Sequence, residues 1–301
     1  MIIGVTISEH RPFPKDLESL KHSNQILEIK AGRLAENIGK CDVLYVWNLI
    51  DLELKDYISI GKPLPKVIYV AQQGIDFTFE KLLEGTQTEL RYAAGVFSES
   101  IAEYALASIM MLAKNLHKLP LQHSWIKHEQ MSFKDMNVLI LGRGSISNAL
   151  KELLSGMKIT NKQIGSMAVK KISIGKTKLD TVNYLSNVNM VVCCLPLSEL
   201  TVDIVNSNFF RHFSNANFIN ISRGKVVNMH ALKAALDNGN LTSALLDAFE
   251  EEPLPDNDRL WSDDRIVISP HQSYRSIDWA SKLHSKFIDD VFSNYEIKSE
   301  R

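Results

Sequence analysis

Cysteine is scarce in this chain: Cys41 and the adjacent pair Cys193 and Cys194 are the only three. They form no CxxC spacing and their number is odd, which argues against a zinc ribbon and against a disulfide-stapled secreted fold. Reduced, buried thiols are expected instead. An excess of either charge is lacking too. With 34 Lys and Arg against 35 Asp and Glu the formal net charge is −1, so no overall field gathers nucleic acid or an anionic membrane, and neither is expected as a partner. No apolar run reaches the roughly 18 residues of a membrane span. The N-terminus MIIGVTISEH lacks the basic start and long apolar core of a signal peptide, so the expected location is the cytoplasm. Internal repeats, low-complexity tracts and charge blocks are absent. The histidines, His212, His230 and His284 among them, show no metal-like spacing with acids or cysteines, and no metal is expected.

What is present suits small-molecule chemistry on an α/β scaffold. Hydrophobic residues make up 45% of the 301 residues and charged residues 23%, the balance of a globular chain with a real core. That length exceeds one ordinary core and suits two domains, which implies a cleft. Short β-branched runs (MIIGVTI, CDVLYVW, KVIYVA, NVLILG, MVVCCLP, FINIS, ALLDAF, RIVISP) alternate with stretches of helical period, a pattern that predicts parallel sheets with crossover helices. Unbroken apolarity over residues 138–141 and 190–195 predicts strands covered on both faces. Between the two strand groups, Ile101, Ala105, Ile109, Leu112 and Leu116 recur at helical spacing. They predict one long helix, with Ser98 or Ser100 placed to cap its start. Ala280, Leu283, Phe287 and Val291 form the apolar stripe of a final helix, which is too short to be a domain and is expected to pack back on the first one. The expected division is a discontinuous domain, residues 1–97 with 275–301, around a second domain, residues 98–274.

NVLILGRGSISNAL sets Gly142 and Gly144 directly after a buried strand and at the mouth of a helix, with Ser147 where a third glycine would complete GxGxxG. The first glycine permits the tight turn and the second lets backbone approach a pyrophosphate. The helix N-terminus behind them supplies free N–H groups and partial positive charge. Gly142, Arg143, Gly144, Ser145 and Ile146 are therefore the candidate cofactor loop, although Gly-rich turns after strands are also common without a ligand. The third position chiefly serves helix-to-strand packing, so Ser147 should cost fit without removing the phosphate site. In such folds the second strand usually ends in an acid for the adenosine ribose. Here GMKITNKQIGSMAVKK offers Gln163 and no acid before Asp180, with Lys162, Lys170 and Lys171 nearby. A carboxylate would repel a 2′-phosphate, so its absence tilts an NAD(P) site toward NADP; an ordinary solvated lysine face leaves NAD open.

Three later segments, NISRGKVVNMHALKAALDNG, ALLDAFEEEPLP and VISPH, carry the chemistry. Arg223, Glu252 and His271 all lie beyond predicted strand carboxyl ends, where open α/β sheets bind ligands. A planar guanidinium matches a carboxylate through two parallel hydrogen bonds, and histidine is the side chain suited to giving and taking a proton near pH 7. Singly, each has a plainer reading as a solvated turn, an acidic loop or a strand-end histidine. Taken with Asn220, Ser222, Gly224, Gly239, Asp247, the Pro253-Leu254-Pro255 run, Leu260-Trp261 and Pro270, they resemble the D-isomer-specific 2-hydroxy acid dehydrogenase family, which includes phosphoglycerate dehydrogenases and glyoxylate/hydroxypyruvate reductases. The resemblance runs from about residue 66 to residue 273.

That resemblance implies two doubly wound parallel-sheet α/β domains: a Rossmann cofactor domain at 98–274 and a smaller flavodoxin-like substrate domain at 1–97 with 275–301. The implied reaction passes hydride between NAD(P)H and a small 2-oxo acid to give a D-2-hydroxy acid. Arg223 would hold the substrate carboxylate, His271 would donate the proton, and Glu252 would support His271, a neighbouring carboxylate favouring the charged ring. Asp247 would lie by the nicotinamide carboxamide, Pro196 on the adenine side, and Ser98 and Ser222 by the cofactor. Gln73, Gly74 and Ile75 of KVIYVAQQGID would grip the substrate carboxylate through backbone N–H groups. A homodimer is the family's usual state. The chain departs from the pattern at Ser147 and Gln163, at Lys151 where an alanine usually packs, at Asn228 in place of a frequent aspartate, and in QSYRS after His271. The altered glycine loop also suits a different class, a nucleotide-sensing binding protein resembling dehydrogenase-fold corepressors, and a sister dehydrogenase acting on formate or phosphite is a third reading. Turnover of a 2-oxo acid separates them.

Overall fold

The computed structural model describes residues 1–8, 12–30, 32–47, 52–75, 77–176 and 179–299. The chain divides into two compact units, Met1–Val96 with Ser276–Arg301 (unit 1) and Phe97–Arg275 (unit 2). No described helix is long and apolar enough to cross a membrane.

Unit 1 is built on five parallel strands, β1 (Ile2–Ile7), β2 (Gln25–Lys30), β3 (Val43–Val46), β4 (Val67–Val70) and β5 (Glu89–Tyr92), in the order β2-β1-β3-β4-β5. This is the doubly wound order of a flavodoxin-like sheet. Both β3 and β4 are buried at every position, which explains their unbroken apolar runs. Successive side chains still go to opposite faces. Leu44, Val46, Ile68 and Val70 join Ile38, Leu54 and Phe79 in one core. Tyr45 and Tyr69 stack on each other and meet Phe287 of the terminal helix Trp279–Ser299, at 4.8 and 5.0 Å between ring centroids. Leu283, Phe287 and Val291 of that helix are fully buried, so the last helix closes the second face of the first sheet.

Unit 2 holds six parallel strands, β6 (Asn137–Leu141), β7 (Thr160–Ile164), β8 (Met190–Cys193), β9 (Ala216–Asn220), β10 (Leu241–Leu246) and β11 (Ile266–Ile268), in the order β11-β10-β9-β8-β6-β7. The chain runs outward from β6 to β7 and then returns to add β8 on the other side. The crevice at the carboxyl ends of β6 and β8 is therefore the switch point at which such sheets take ligands. A Rossmann half would carry one more strand beyond β7. Among the described residues the helix Leu179–Leu185 occupies that stretch of sequence instead.

The long helix spans Ser98–Ala113 and packs on the helix Ser145–Gly156 that follows β6. Neither serine caps it: both lie inside the helix, its N-cap is Phe97 without a side-chain cap, and the Ser98 hydroxyl donates to Ser145 Oγ at 2.7 Å. Leu116 also falls outside it. Asn115 takes a left-handed conformation (φ 52°), and Leu116 starts a short 3-10 segment, Leu116–Leu121.

Candidate active site

Gly142 ends β6 at φ 130°, a backbone conformation few L side chains adopt. A Cβ there would come within 2.7 Å of Ser147 Oγ and 3.0 Å of the Cys194 carbonyl oxygen. Gly142 is thus required by the protein itself. Gly144 is different. It is the N-cap of Ser145–Gly156 and has no side-chain cap, and a Cβ added to it meets nothing within 4 Å. Its missing side chain leaves open space over a helix start whose first N–H groups lack intrahelical acceptors. A pyrophosphate needs such a cradle, so these residues fit a dinucleotide.

Ser147, in the third glycine position, is fully buried and fits beneath the turn with its hydroxyl beside Cys194. Burial, with Cys193 adding to it, pushes the Cys194 thiol far up, and the Ser147 hydroxyl offsets this only in part. Of the other departures, Lys151 lies exposed on its helix, where an alanine is not needed for packing. Asn228 caps the helix Met229–Asp237 by accepting from Ala231 N at 2.9 Å, as an aspartate would.

At the edge strand β7, Gln163 Nε2 donates to Asn148 Oδ1 at 3.1 Å and Lys162 sits over the Tyr184 ring at 4.2 Å. Lys170 and Lys171 fall in the last turn of the helix Ser166–Ser173, away from the strand end. The Arg143 side chain reaches that end. An added Cβ on Gly165, just past β7, would lie 3.6 Å from Arg143 Cδ and 3.8 Å from its Nε. Pro196 is exposed beyond β8 and its carbonyl accepts from Thr201 Oγ1 at 2.6 Å.

Arg223 follows β9, half-buried, and donates from Nη1 to the Ser222 carbonyl at 3.0 Å. Asn220, fully buried at the end of β9, anchors this turn. Its Oδ1 accepts from Ser222 N and Oγ at 3.1 and 2.7 Å, and its Nδ2 reaches the carbonyls of Arg223 and Ala248 at 3.4 and 3.5 Å. Ser222 is thereby buried among protein groups, with Cys193 Sγ 3.3 Å from its hydroxyl. Next to Arg223, Gly224 lies so close to the following loop that a Cβ would fall 1.9 Å from the Phe249 carbonyl carbon and 2.2 Å from Glu250 N. No side chain fits there. That contact brings the arginine turn against the loop that carries Glu252.

Glu252 Oε1 accepts from Phe249 N and Oε2 from His271 Nδ1, both at 2.8 Å. Burial alone would push this carboxyl up. The hydrogen bonds from His271 and Phe249, with the charges of His271 and Arg223, more than offset it and hold Glu252 below the usual glutamate range. Arg223, Glu252 and His271 therefore converge within unit 2, with His271 about one-third exposed at 35% of its side chain. Gln73, Gly74 and Ile75 follow β4 of unit 1 as a half-buried turn, in which Ile75 packs on the core of that unit.

Asp247, at the end of β10, is 1% exposed. Its Oδ1 accepts from Ser269 Oγ at 2.5 Å and Gln272 N at 2.9 Å, and its Oδ2 from Ser273 N at 3.1 Å. Tyr104 of the long helix donates in turn to Ser269 Oγ at 2.6 Å. Sequence reasoning gave no role to Asn220, Gly224, Tyr104 or Ser269. The available signals were a polar residue ending a buried strand and a tyrosine on the buried side of a helix, both of which need an internal hydrogen-bond partner.

A family model for the D-isomer specific 2-hydroxyacid dehydrogenase, NAD binding domain, matches residues 106–273. The chain is 24% identical over 247 residues to glyoxylate/hydroxypyruvate reductase A of Salmonella paratyphi C (strain RKS4594), over 75% of this chain and 78% of that protein. Among solved structures it is similar to a D-isomer specific 2-hydroxyacid dehydrogenase family protein from Klebsiella pneumoniae 342, with TM-score 0.78, 20% identity and coverage of 98% and 94% of the two chains. It is also similar to an NADPH-dependent glyoxylate/hydroxypyruvate reductase from Sinorhizobium meliloti in complex with NADP and malonate, with TM-score 0.75, 19% identity and coverage of 96% and 92%. At these identities the structural likeness speaks for the fold.

Proposed function

The chain belongs to the D-isomer specific 2-hydroxyacid dehydrogenase family, and on that premise we propose that it reduces a small 2-oxo acid of the glyoxylate or hydroxypyruvate kind to a D-2-hydroxy acid. The observation that carries this reading is the pairing of His271 Nδ1 with Glu252 Oε2 at 2.8 Å beside the charge of Arg223. Reduced nicotinamide, when bound, supplies the hydride to carbon two. Arg223 binds the substrate carboxylate and polarises the adjacent carbonyl. Glu252, held anionic, fixes a proton on His271 Nδ1 and orients the ring. His271 then gives the Nε2 proton to the carbonyl oxygen as it becomes a hydroxyl, and keeps its Nδ1–H toward Glu252.

Unit 2 is the proposed cofactor domain, with Gly142 to Ile146 cradling the pyrophosphate and Ser98, Pro196, Ser222 and Asp247 beside the cofactor. Unit 1 is the proposed substrate domain, its Gln73, Gly74 and Ile75 N–H groups serving as carboxylate donors. NADP is proposed over NAD: no acid stands at the end of β7 among the described residues, and the Arg143 side chain lies across Gly165 there. A cytoplasmic homodimer joined through unit 2 completes the reading. The exposed apolar side chains after the long helix support it, with Leu119 at 47%, Trp125 at 94% and Ile126 at 52% exposure.

The test is absorbance at the reduced-nicotinamide band with NADH and NADPH against glyoxylate, hydroxypyruvate and pyruvate, repeated for Arg223→Ala and His271→Gln. Both variants are expected to lose turnover and keep cofactor binding. Wild-type protein that binds NAD(P)H and oxidises it with none of these acids would overturn the reading in favour of a nucleotide sensor.

A further inference from the structure

We infer that Asp247, Ser269 and Tyr104 form a positioning relay that fixes the loop carrying His271. The inference rests on the reading of His271 as proton donor. His271 has φ 49°, the left-handed region in which a non-glycine residue stays only when its surroundings hold it. Its N–H closes a tight turn onto the Ser269 carbonyl at 2.9 Å. The groups that hold it come from both sides: Ser269 lies two residues before His271, and Gln272 and Ser273 follow it. All three donate to the one carboxylate of Asp247. A single buried side chain thus straddles the histidine.

The direction of the relay is set by chemistry. An ionised carboxylate only accepts, so the Ser269 proton points to Asp247 and its oxygen is left to accept from Tyr104. A buried carboxylate needs such donors to be tolerated at all, and with three of them Asp247 is committed to the loop. Tyr104 extends the hold to the long helix, which packs on the helix of the nucleotide turn. Asparagine at 247 is isosteric yet fails, because its amide has one acceptor oxygen and turns its NH2 toward an N–H donor.

The test combines saturating kcat, KM, the dissociation constant of NAD(P)H by fluorescence and the solvent deuterium isotope effect on kcat. Ser269→Ala is expected to lower kcat by about 10-fold and Asp247→Asn by about 100-fold, magnitudes typical of lost orienting partners. For Ser269→Ala and Tyr104→Phe the cofactor dissociation constants should stay within about twofold, and in every variant the isotope effect should grow as proton transfer becomes limiting. Ser269→Thr, which keeps the hydroxyl, should restore kcat. Tyr104→Phe should cost a few-fold alone and nothing further on top of Ser269→Ala. Asp247→Asn that leaves saturating kcat and the isotope effect unchanged would overturn the relay, whatever its effect on cofactor binding. Should Asp247→Asn not fold, the Ser269 pair decides: wild-type kcat and isotope effect in Ser269→Ala sink the proposal. An active His271→Gln would instead remove the functional reading itself, so the two failures are distinct.

Discussion

His271 and His284 each meet a carboxylate through Nδ1, at 2.8 Å from Glu252 and 2.9 Å from Asp16. Their surroundings differ. His271 stands on a loop beyond a strand end with 35% of its side chain exposed, whereas His284 lies in the terminal helix with 5% exposed. The ring of His284 is walled by Tyr45 and Trp47, at 6.2 and 5.5 Å between centroids, and its buried Nε2 has no hydrogen-bond partner among the described residues. One imidazole is open to a small molecule and the other is enclosed. A histidine–carboxylate bond alone therefore identifies no general acid. The accessible second nitrogen and the cation beside the carboxylate make the difference.

The sharpest way to break this contrast is substitution in parallel. His271→Gln should lower kcat by about 10²- to 10⁴-fold, while His284→Gln stays within about twofold of wild type; equal losses in steady-state assays would erase the distinction. Next in size is Gly224→Ala, which disturbs the Glu252 loop without touching Glu252. The overlap with Phe249 and Glu250 should cost about 1–3 kcal/mol in urea unfolding and lower kcat as well, and an unchanged midpoint with unchanged kcat would refute the close approach. Removing the acid from the structural pair, Asp16→Ala, leaves a buried ring nitrogen unpaired and should cost about 1–3 kcal/mol with turnover intact, so a loss of turnover would contradict the assigned division of labour.

The smallest effect is a pH dependence. Glu252 is held below its ordinary value in the folded protein, so the stability it contributes is fully present above the unfolded glutamate pKa of about 4.3 and is lost as pH falls through the lower folded value. The melting-temperature gap between wild type and Glu252→Gln should be constant near neutrality and close below about pH 4. A gap that persists at pH 3 would sink this account.

Eight of the eleven described strands are legible as apolar runs. The three that are not, β2, β5 and β7, share one position: each is an edge of its sheet. QILEIK, ELRY and TNKQI are polar because an edge strand is covered incompletely and gains from charge that discourages further pairing. Central strands advertise themselves, and of the four edges only β11 does. The site divides in the same way. Gly142 is legible as a candidate because its spacing from Gly144 repeats a known fingerprint, and Arg223, Glu252 and His271 because, taken with their neighbours, they repeat a family pattern that none of them carries alone. Gly224 is required by a close approach of backbone 25 residues further on in the chain, and Ser269 by a tyrosine 165 residues away. No local pattern encodes either distance. The lysines after β7 show the converse, since Lys170 and Lys171, close to the strand in sequence, fall in the last turn of the helix that follows it.

Unit 1 takes its strands from the beginning of the chain and its closing helix from the end. On the ribosome the paired rings of Tyr45 and Tyr69 must wait, uncovered, until Phe287 has been synthesised, while the intervening unit already owns every strand it needs. The part encoded second can therefore finish folding first, and a message cut short before Trp279 would damage the opening sheet rather than the nucleotide one.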